Sequence, residues 1–369
     1  MRLTDLEKRH GGFYVPAYVV KVGGNDVLRD LCLAVTSISV DLKEKTAGTF
    51  SFTVSNAFDW ESKQFVATQN ATRFDVLDRF RFGSTVEIRL GYGDVGKLPL
   101  LLSGVLTGIT TAFESKSAPE LVVTGFDDLY PLTVGSSTRH WEDKPDSAAV
   151  QDIARAKGVS SDVRTTTPVH QHFSQNNEND MAFVAKLAVR NGATFYERSR
   201  KLYFGPRQND RSETVELEWG QGLLSFSPDA NLARQVGEVK VYGRSVSTGD
   251  VIVGAARRGQ ESGRDARARS GGERLVSALA GAPVLSLRAG VRTQAEADAR
   301  AKAVLEERAE SFLTGTGESI GLPEVLPDTN VAIDGLGPAF SKTYYVSQAI
   351  HRMDRGGYNT TFHVQETTV

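Results

Sequence analysis

Cysteine is almost absent from this sequence, which contains one, Cys32, among 369 residues. A single cysteine cannot form a disulfide within the chain, so the sequence excludes a disulfide scaffold and predicts a fold held together by packing. Cys32 lies in the apolar stretch 31–35 and is predicted to be a small buried side chain. Proline is also sparse, at 12 residues, whereas glycine is abundant at 35, a balance that favours many short strands joined by turns.

An excess of charge of one sign is lacking as well. The formal net charge of −2 removes any whole-chain electrostatic argument for nucleic-acid binding. No uninterrupted apolar run reaches the roughly 18 residues that a membrane-spanning helix needs. The first ten residues are charged and lack the apolar core of a secretory signal peptide, so we expect synthesis in the cytoplasm and export only as part of a larger object.

The motifs of the common catalytic and cofactor sites are missing. There is no Gly-x-Ser-x-Gly elbow, no Gly-Lys-Ser/Thr phosphate loop and no Asp-rich calcium loop. The glycines of residues 315–321 follow a predicted helix rather than a strand, which is the wrong context for a dinucleotide site. Adjacent acids at 127–128 and 306–307 point apart. We therefore predict no enzyme activity, no catalytic residues and no cofactor.

Two of the six histidines are the best candidates for a metal site. His170 and His172 could share one face of a strand, which is a spacing that metal ligands use. No Asp-rich or Cys-rich segment lies nearby, and a polar loop before Phe173 explains both histidines equally well. The prediction is no metal site.

Alternation of apolar and polar residues dominates the first third. Residues 49–54 place Phe50, Phe52 and Val54 on one face and hydroxyl groups on the other. Further strands are predicted at the segments 86–90, 100–111 and 121–125, with a polar turn at 114–119. Short strands with glycine-rich turns at this spacing are typical of a small barrel or sandwich.

The middle third changes to helices and short strands. A helix is predicted over 146–157, capped by Asp146, and a second over 180–190. Strands follow at 194–197 and 201–204. The pattern indicates a small α/β domain at 136–215, inserted between a first β domain at 1–135 and a second at 216–369.

One clear helix interrupts the strands of the last third, at 294–313. Thr293 and Glu296 form a capping box at its start. Its apolar, alanine-rich face consists of the following residues: Ala297, Ala301, Val304, Leu305 and Phe312. Residues 255–273 are rich in Arg, Gly and Ser and are predicted to be a mobile solvated loop, with basic contact to a partner as the alternative.

The strand pattern of the first third occurs again in the last third. The first match pairs 37–41 and 48–52 with 225–229 and 237–241. The second match pairs 86–88, 103–109 and 121–123 with 331–333, 345–350 and 361–364. Two matches in the same order indicate a duplicated barrel. Three such chains could form a ring of six barrels. Such a ring could join a part with three-fold symmetry to a part with six-fold symmetry.

Several stretches match a known pattern in the same order along most of the chain. They are FGSTVEI at 82–88, LSGVLTGI at 102–109, VTGFD at 123–127, WEDK at 141–144, RNGATFY at 190–196, YYVS at 344–347 and YNTTF at 358–362. Together they resemble the phage late control protein D and VgrG family, the hubs of contractile phage tails and type VI secretion spikes. The resemblance implies a mainly β, α+β fold with two tube-type β-barrels, an inserted α/β domain and a trimeric pseudo-six-fold ring.

The resemblance also implies partners and a place of action. These are a homotrimer, an inner-tube hexamer, other baseplate subunits, and tape measure or cargo in a central channel, within a phage tail or injection-particle baseplate. The chain stops soon after the second barrel, so the spike is expected to be a separate protein and the chain itself does not insert into membranes. The polar strand faces, Thr49, Ser51 and Thr53 with Glu238 and Lys240, are predicted lumen or tube-contact surfaces or ordinary outward-facing residues.

Two alternatives stay open. A cell-wall carbohydrate-binding or hydrolytic tail protein would need exposed aromatic platforms and an acid pair across a cleft, and only Trp60, Trp141 and Trp219 occur. A minor tail protein of a non-contractile phage would use the same fold. In the hub interpretation, strands between subunits and the alanine-rich face of the 294–313 helix need partners from other subunits.

Overall fold

The computed structural model describes residues 1–69, 72–114, 118–212, 214–245, 248–263 and 268–369. The predicted turn at 114–119 and the predicted loop at 255–273 therefore lie partly outside the described residues. Among the described residues, no helix is both long enough and apolar enough to span a membrane.

The first third folds as an antiparallel sheet because its alternating strands bury one face. Phe50, Phe52 and Val54 are buried, as predicted, whereas the hydroxyl residues between them are at least partly exposed. The elements are α1 Leu3–Arg9, β1 Pro16–Val22, β2 Asn25–Asp26, β3 Ala34–Lys43, β4 Thr49–Ser55, β5 Phe58–Asp59, β6 Gln64–Gln69, β7 Thr72–Asp75, β8 Thr85–Tyr92, β9 Leu100–Thr111 and β10 Leu121–Asp127. Strands β1-β8-β9-β10-β4-β3 are neighbours in that order, and the Tyr18 hydroxyl of β1 donates to the Val35 carbonyl of β3 (3.3 Å).

The middle of the chain forms the predicted helices and strands. Its elements are α2 Tyr130–Thr133, β11 Ser137–Lys144, α3 Asp146–Ala156, β12 Ser161–Val163, β13 His170–Glu178, α4 Asp180–Asn191, β14 Ala193–Arg198 and β15 Lys201–Pro206. The prediction that Asp146 caps α3 is wrong. Pro145 occupies the cap position, and the buried Asp146 carboxylate instead accepts hydrogen bonds from Arg190 and from the Asn191 amide (2.7 Å).

The last third contains a closed six-stranded barrel with one large insertion. Its elements are β16 Val215–Trp219, β17 Gly222–Ala230, β18 Glu238–Arg244, β19 Val251–Arg257, α5 Gly271–Leu279, β20 Val284–Arg288, α6 Gln294–Glu310, β21 Leu313–Ile320, β22 Thr329–Asp334, α7 Gly337–Phe340, β23 Lys342–Asp354 and β24 Gly357–Glu366. Strands β16-β22-β23-β24-β21-β17 are neighbours in that order, and a parallel pairing of β16 with β17 closes the barrel.

The duplication is confirmed by the strand order. Reading each half along the chain, β1, β3, β4, β8, β9 and β10 occupy the sheet positions of β16, β17, β21, β22, β23 and β24. A register shift even occurs at the same place in both halves. It skips Thr107 where β9 pairs with β10 and Ser347 where β23 pairs with β24.

One part of the predicted repeat is wrong. The counterpart of β4 is β21, whereas residues 238–241 of the predicted match belong to β18 in a separate three-stranded sheet, ordered β19-β18-β20. Alternating strands resemble one another in sequence, and the insertion between β17 and β21 placed such a strand at the expected distance. The three-stranded sheet covers α6 with Val239 and Val241, so the alanine-rich face is buried within this chain rather than by another subunit.

Three further predictions need correction. Helix α6 ends at Glu310, and the glycines at 315 and 317 lie in β21. Part of the predicted loop 255–273 is ordered, because Ser270 and Glu273 form a capping box at the start of α5. Cys32 is exposed rather than buried, between the buried Leu31 and Leu33, and its backbone has a positive φ of 55°.

Helix α1 packs on the second barrel although it precedes the first in sequence. Leu6 is fully buried in the core of the second barrel, and the N-terminal amine donates to the Thr214 carbonyl (2.9 Å). The predicted domain boundaries at 135 and 215 stay predictions.

Candidate assembly site at the junction of the barrels

A single strand connects the two barrels. Strand β23 pairs with β22 through residues 342–346, and beyond the register shift it pairs with β3 of the first barrel, from Gln348 opposite Lys43 to Met353 opposite Ile38. The two halves thus share one continuous sheet. Because a β ladder fixes both the distance and the register of its strands, this pairing determines how one barrel lies against the other.

Side chains reinforce the ladder. The Gln348 amide donates to the Asp41 carboxylate (2.7 Å), and the Glu44 backbone N–H donates to the Ser347 carbonyl (3.2 Å). Met353 is 7% exposed and lies with Tyr358 in the core of the first barrel. The end of the second barrel is therefore part of the first barrel's hydrophobic core.

A buried ionic cluster lies next to the ladder. Arg207, which follows β15, lies between Glu44 of the β3–β4 turn and Glu310 at the end of α6. Its Nε is 3.2 Å from Glu44 Oε2 and its Nη1 is 2.5 Å from Glu310 Oε1. The guanidinium also stacks over the Tyr345 ring of β23, 4.6 Å from the ring centroid. One cation thereby ties together the first barrel, the middle domain and the second barrel.

The pKa values of Glu44 and Glu310 shift in opposite directions, although both carboxylates contact Arg207. Burial would raise the pKa of Glu44, but the charges of Arg207 and Lys45 outweigh it and the pKa is lowered. Burial raises the pKa of Glu310, and Arg207 offsets only part of this effect. Glu44 is therefore the firmly ionised partner, and removing Arg207 would leave that charge buried without compensation.

Tyrosine hydroxyls extend the cluster into the middle domain. The Tyr345 hydroxyl lies 3.0 Å from both Glu44 Oε2 and Asp328 Oδ1, and the Tyr196 hydroxyl of β14 lies 2.9 Å from Asp328 Oδ2. The Gln208 backbone N–H donates to the same aspartate (2.8 Å). All three regions of the chain are hydrogen-bonded to one buried network, which makes the junction a rigid unit.

The two histidines proposed as metal candidates have separate environments. His170 is buried, with Nδ1 2.8 Å from Glu296 Oε1 and Nε2 3.3 Å from Asp146 Oδ1, so it connects β13 with α6. His172 is exposed and its ring lies 6.3 Å from that of His140. In the described part of the chain, no three His, Cys, Asp or Glu side chains are placed to hold a metal ion.

The predicted polar strand faces separate in the structure. Thr49, Ser51 and Thr53 lie on β4 of the first barrel, and the Ser37 hydroxyl donates to Thr53 (2.9 Å). Glu238 and Lys240 instead lie on β18, outside both barrels, where Arg257 binds Glu238 (3.0 Å). The interpretation of the first group as a lumen or tube-contact face stays a prediction, and the second group does not belong to a barrel.

Sequence reasoning missed the residues of the junction cluster. Glu44, Arg207 and Glu310 are far apart in the chain, and each is an ordinary charged residue within its own segment. The only local signal is that each stands three residues from the end of a predicted strand or helix. Only the tertiary fold brings them together.

Comparisons with known proteins place the fold. The model of the Alg8 N-terminal domain family matches residues 20–355. No curated protein matches the sequence. Among solved structures, the chain resembles the prophage MuSo2 43 kDa tail protein of Shewanella oneidensis, with a TM-score of 0.70 and 14% identity, over 95% of this chain and 98% of that one.

Two further structures have the same fold. A tail protein of Neisseria meningitidis MC58 gives a TM-score of 0.66 at 13% identity, over 96% and 97% of the two chains. The Escherichia coli c3393 protein, a component of the type VI secretion system, gives 0.55 at 14% identity, over 94% of this chain and 76% of that one. The predicted mainly β fold and the resemblance to the late control protein D and VgrG group are thus confirmed at the level of the fold.

Proposed function

The chain belongs to the Alg8 N-terminal domain family, and we propose that it is a structural hub subunit in the baseplate of a contractile tail or injection system. In this proposal three copies form a ring of six barrels around a central channel. One side of the ring meets an inner-tube hexamer, and the other side carries a separate spike protein. The particle, rather than the chain alone, is where the protein acts.

The observation that carries the proposal is the duplicated barrel with a fixed junction. Two domains of identical strand order are joined by the β3–β23 ladder and by the ionic cluster around Arg207. A chain built this way presents the same surface twice. Three such chains present it six times, which suits a contact between parts of three-fold and six-fold symmetry.

The fold of the tail proteins and of the type VI secretion component supports this role. The proposal includes no enzyme activity. The buried charges of the junction are bound to one another and hold segments of the chain in place. In the assembled particle the hub transmits force between spike and tube and leaves a passage for cargo.

Electron microscopy of the purified protein tests the proposal. Class averages should show a ring with six lobes around a central hole. Particles of one or two lobes at every concentration would contradict a hub that assembles by itself. In parallel, the protein should leave the turbidity of purified peptidoglycan unchanged in an assay where lysozyme lowers it, whereas clearing would support the cell-wall hydrolase alternative.

A further inference from the structure

The strands of the internal junction have counterparts, β9 and β17, and each of these has one edge without a strand partner among the described residues. Residues 342–346 of β23 pair with β22, and residues 348–353 pair with β3. Strand β9 pairs with β8 in the same way up to Val105. Within the described residues, the rest of β9 pairs with β10 alone, and β17 beyond Leu223 pairs with β21 alone. The duplicated fold therefore has one filled junction and one open pair of edges.

The open edges can be aligned residue by residue with the filled junction. Val40 of β3 and Pro228 of β17 are equivalent, because they face Phe50 and Gly315 at the same level of their barrels. Leu106 of β9 and Val346 of β23 are equivalent in the same way, each standing before the shared register shift. This alignment transfers the register of the β3–β23 ladder to β17 and β9.

From this equivalence we infer that β17 of one copy pairs with β9 of the next copy, in the register of the β3–β23 junction. The inference rests on the proposed ring, and it specifies which strands close it. In that register Thr110 lies opposite Asp229 of the next copy, as Ile350 lies opposite Asp41. Phe113 lies opposite Phe226 of the next copy, as Met353 lies opposite Ile38.

The exposure of Phe113 supports the inference. Met353 is 7% exposed at the filled junction, whereas Phe113 at the equivalent position is 68% exposed. Its ring rests on the rings of Phe58 and Phe65, with centroids 5.7 Å and 6.2 Å away. Phe113 lies just beyond β9, a strand with one open edge, and an exposed aromatic in such a place is the feature expected where another chain docks.

Pro228 fits the place of β17 as a strand with an open edge in the single chain. A proline in a sheet is tolerated where its missing N–H would point to the outside of an edge strand. At the filled junction the Glu44 N–H bonds to Ser347, so alternate residues of β3, including Val40, direct their N–H groups to β23. The equivalent Pro228 removes one donor from the ladder between copies and leaves the others.

The first experiment traps the pairing with a disulfide. Thr110 and Asp229 correspond to a non-hydrogen-bonded pair, for which the Cα atoms are about 4.5 Å apart, within disulfide range. The protein carrying Cys32→Ser, Thr110→Cys and Asp229→Cys should form covalent trimers that reductant dissolves. The control replaces Asp229→Cys by Leu224→Cys, which lies five residues away, roughly 16 Å along the strand, and should stay uncrosslinked.

The outcomes separate the two proposals. A native trimer that crosslinks no more than the control would overturn the β17–β9 pairing and leave the hub intact. A protein of single-chain native mass without crosslinks would overturn both.

The second experiment compares two exposed phenylalanines. Phe113→Ser should weaken association by about ten-fold or more, because a large aromatic side chain that becomes buried on association contributes much of the affinity. Phe82→Ser changes a phenylalanine that is 71% exposed and lies outside the inferred ladder, so its association should be unchanged. Equal association of both variants, with circular dichroism confirming that each is folded, would contradict the inference.

Discussion

The filled junction and its open counterpart differ in polar side chains more than in backbone. At the filled junction Gln348 binds Asp41, and Tyr345 and Glu44 belong to the ionic cluster. The equivalent positions at the open edges are Gly108, Asp229, Val105 and Leu232. The permanent contact is thus fixed by side-chain hydrogen bonds and buried charges, whereas the equivalent open positions carry one charged side chain, Asp229, and otherwise glycine or apolar residues. This is the difference expected between an internal contact and one that forms on assembly.

Breaking the ionic cluster should have the largest effect. Arg207→Met leaves Glu44 buried without its cation and should lower the free energy of unfolding by about 3–5 kcal/mol. Urea unfolding at one fixed protein concentration measures the change. The control is Arg200→Met, which removes an exposed ion pair with Glu87 and should cost less than about 1 kcal/mol. Equal losses in the two variants would mean that the cluster does not fix the junction.

Truncating the apolar side chain of the filled junction should have the next largest effect. Met353→Ala leaves a cavity in the first barrel's core and should cost about 2–3 kcal/mol of unfolding free energy. The matched change at the open edge, Phe113→Ala, should alter unfolding of the dissociated chain much less because Phe113 is exposed. A larger loss for Phe113 than for Met353 in dissociated protein would reverse the comparison.

The two barrels also differ at one buried acidic position, which is Asp127 in the first barrel and Glu366 in the second. Burial raises the pKa of Asp127, at the end of β10, to about 7. The equivalent residue of the second barrel, Glu366, is bound by the Arg211 guanidinium at 2.7 Å. Because the folded-state pKa of Asp127 lies above the ordinary aspartate pKa of 3.8, its contribution to stability is fully present below pH 4 and is lost as the pH rises through 7.

The pH prediction follows from that sign. Between pH 4 and 7 Asp127 should lower the unfolding free energy by up to about 1.4 kcal/mol per pH unit, and Asp127→Asn should remove this slope. Urea titrations of both proteins at several pH values measure it. The same pH dependence in both would show that Asp127 does not carry the effect.

The smallest expected effect concerns the hydrogen bond across the ladder. Gln348→Ala removes the donor to Asp41 and should cost about 1 kcal/mol, the usual contribution of one partly buried hydrogen bond. The same urea assay measures it. Gln348→Glu sharpens the test, since it places a like charge beside Asp41 and should be more destabilising above pH 5 than the alanine. A glutamate variant as stable as native protein would argue that the contact is not made.

Much of the fold was predictable because the spacing of apolar residues along a segment indicates which side chains are buried. Strand β4 follows from the alternation of Phe50 with Ser51, and α4 follows from apolar residues at helical spacing with Gly192 as its end. The second sequence match correctly paired β8, β9 and β10 of the first half with β22, β23 and β24 of the second half. These patterns depend on neighbours in sequence, which is what periodicity reports.

The wrong strand assignment and the missed ionic cluster have the opposite cause, because they depend on residues that are distant in sequence. Residues 237–241 were placed in the wrong sheet because strand pairing is decided by distant segments. Helix α5 was missed, although Ser270 and Glu273 carry a readable capping box, because the arginine-rich stretch before it favoured a loop. The Arg207 cluster joins residues that only the tertiary structure brings together, so no local sequence pattern predicts it.

Light scattering of the purified protein at two concentrations tests the central claim most directly. The account predicts a mass near three times 40.1 kDa, with dissociation to single chains on dilution before any loss of strand signal in circular dichroism. A folded protein with a mass of one chain at both concentrations would contradict the self-assembling six-barrel ring.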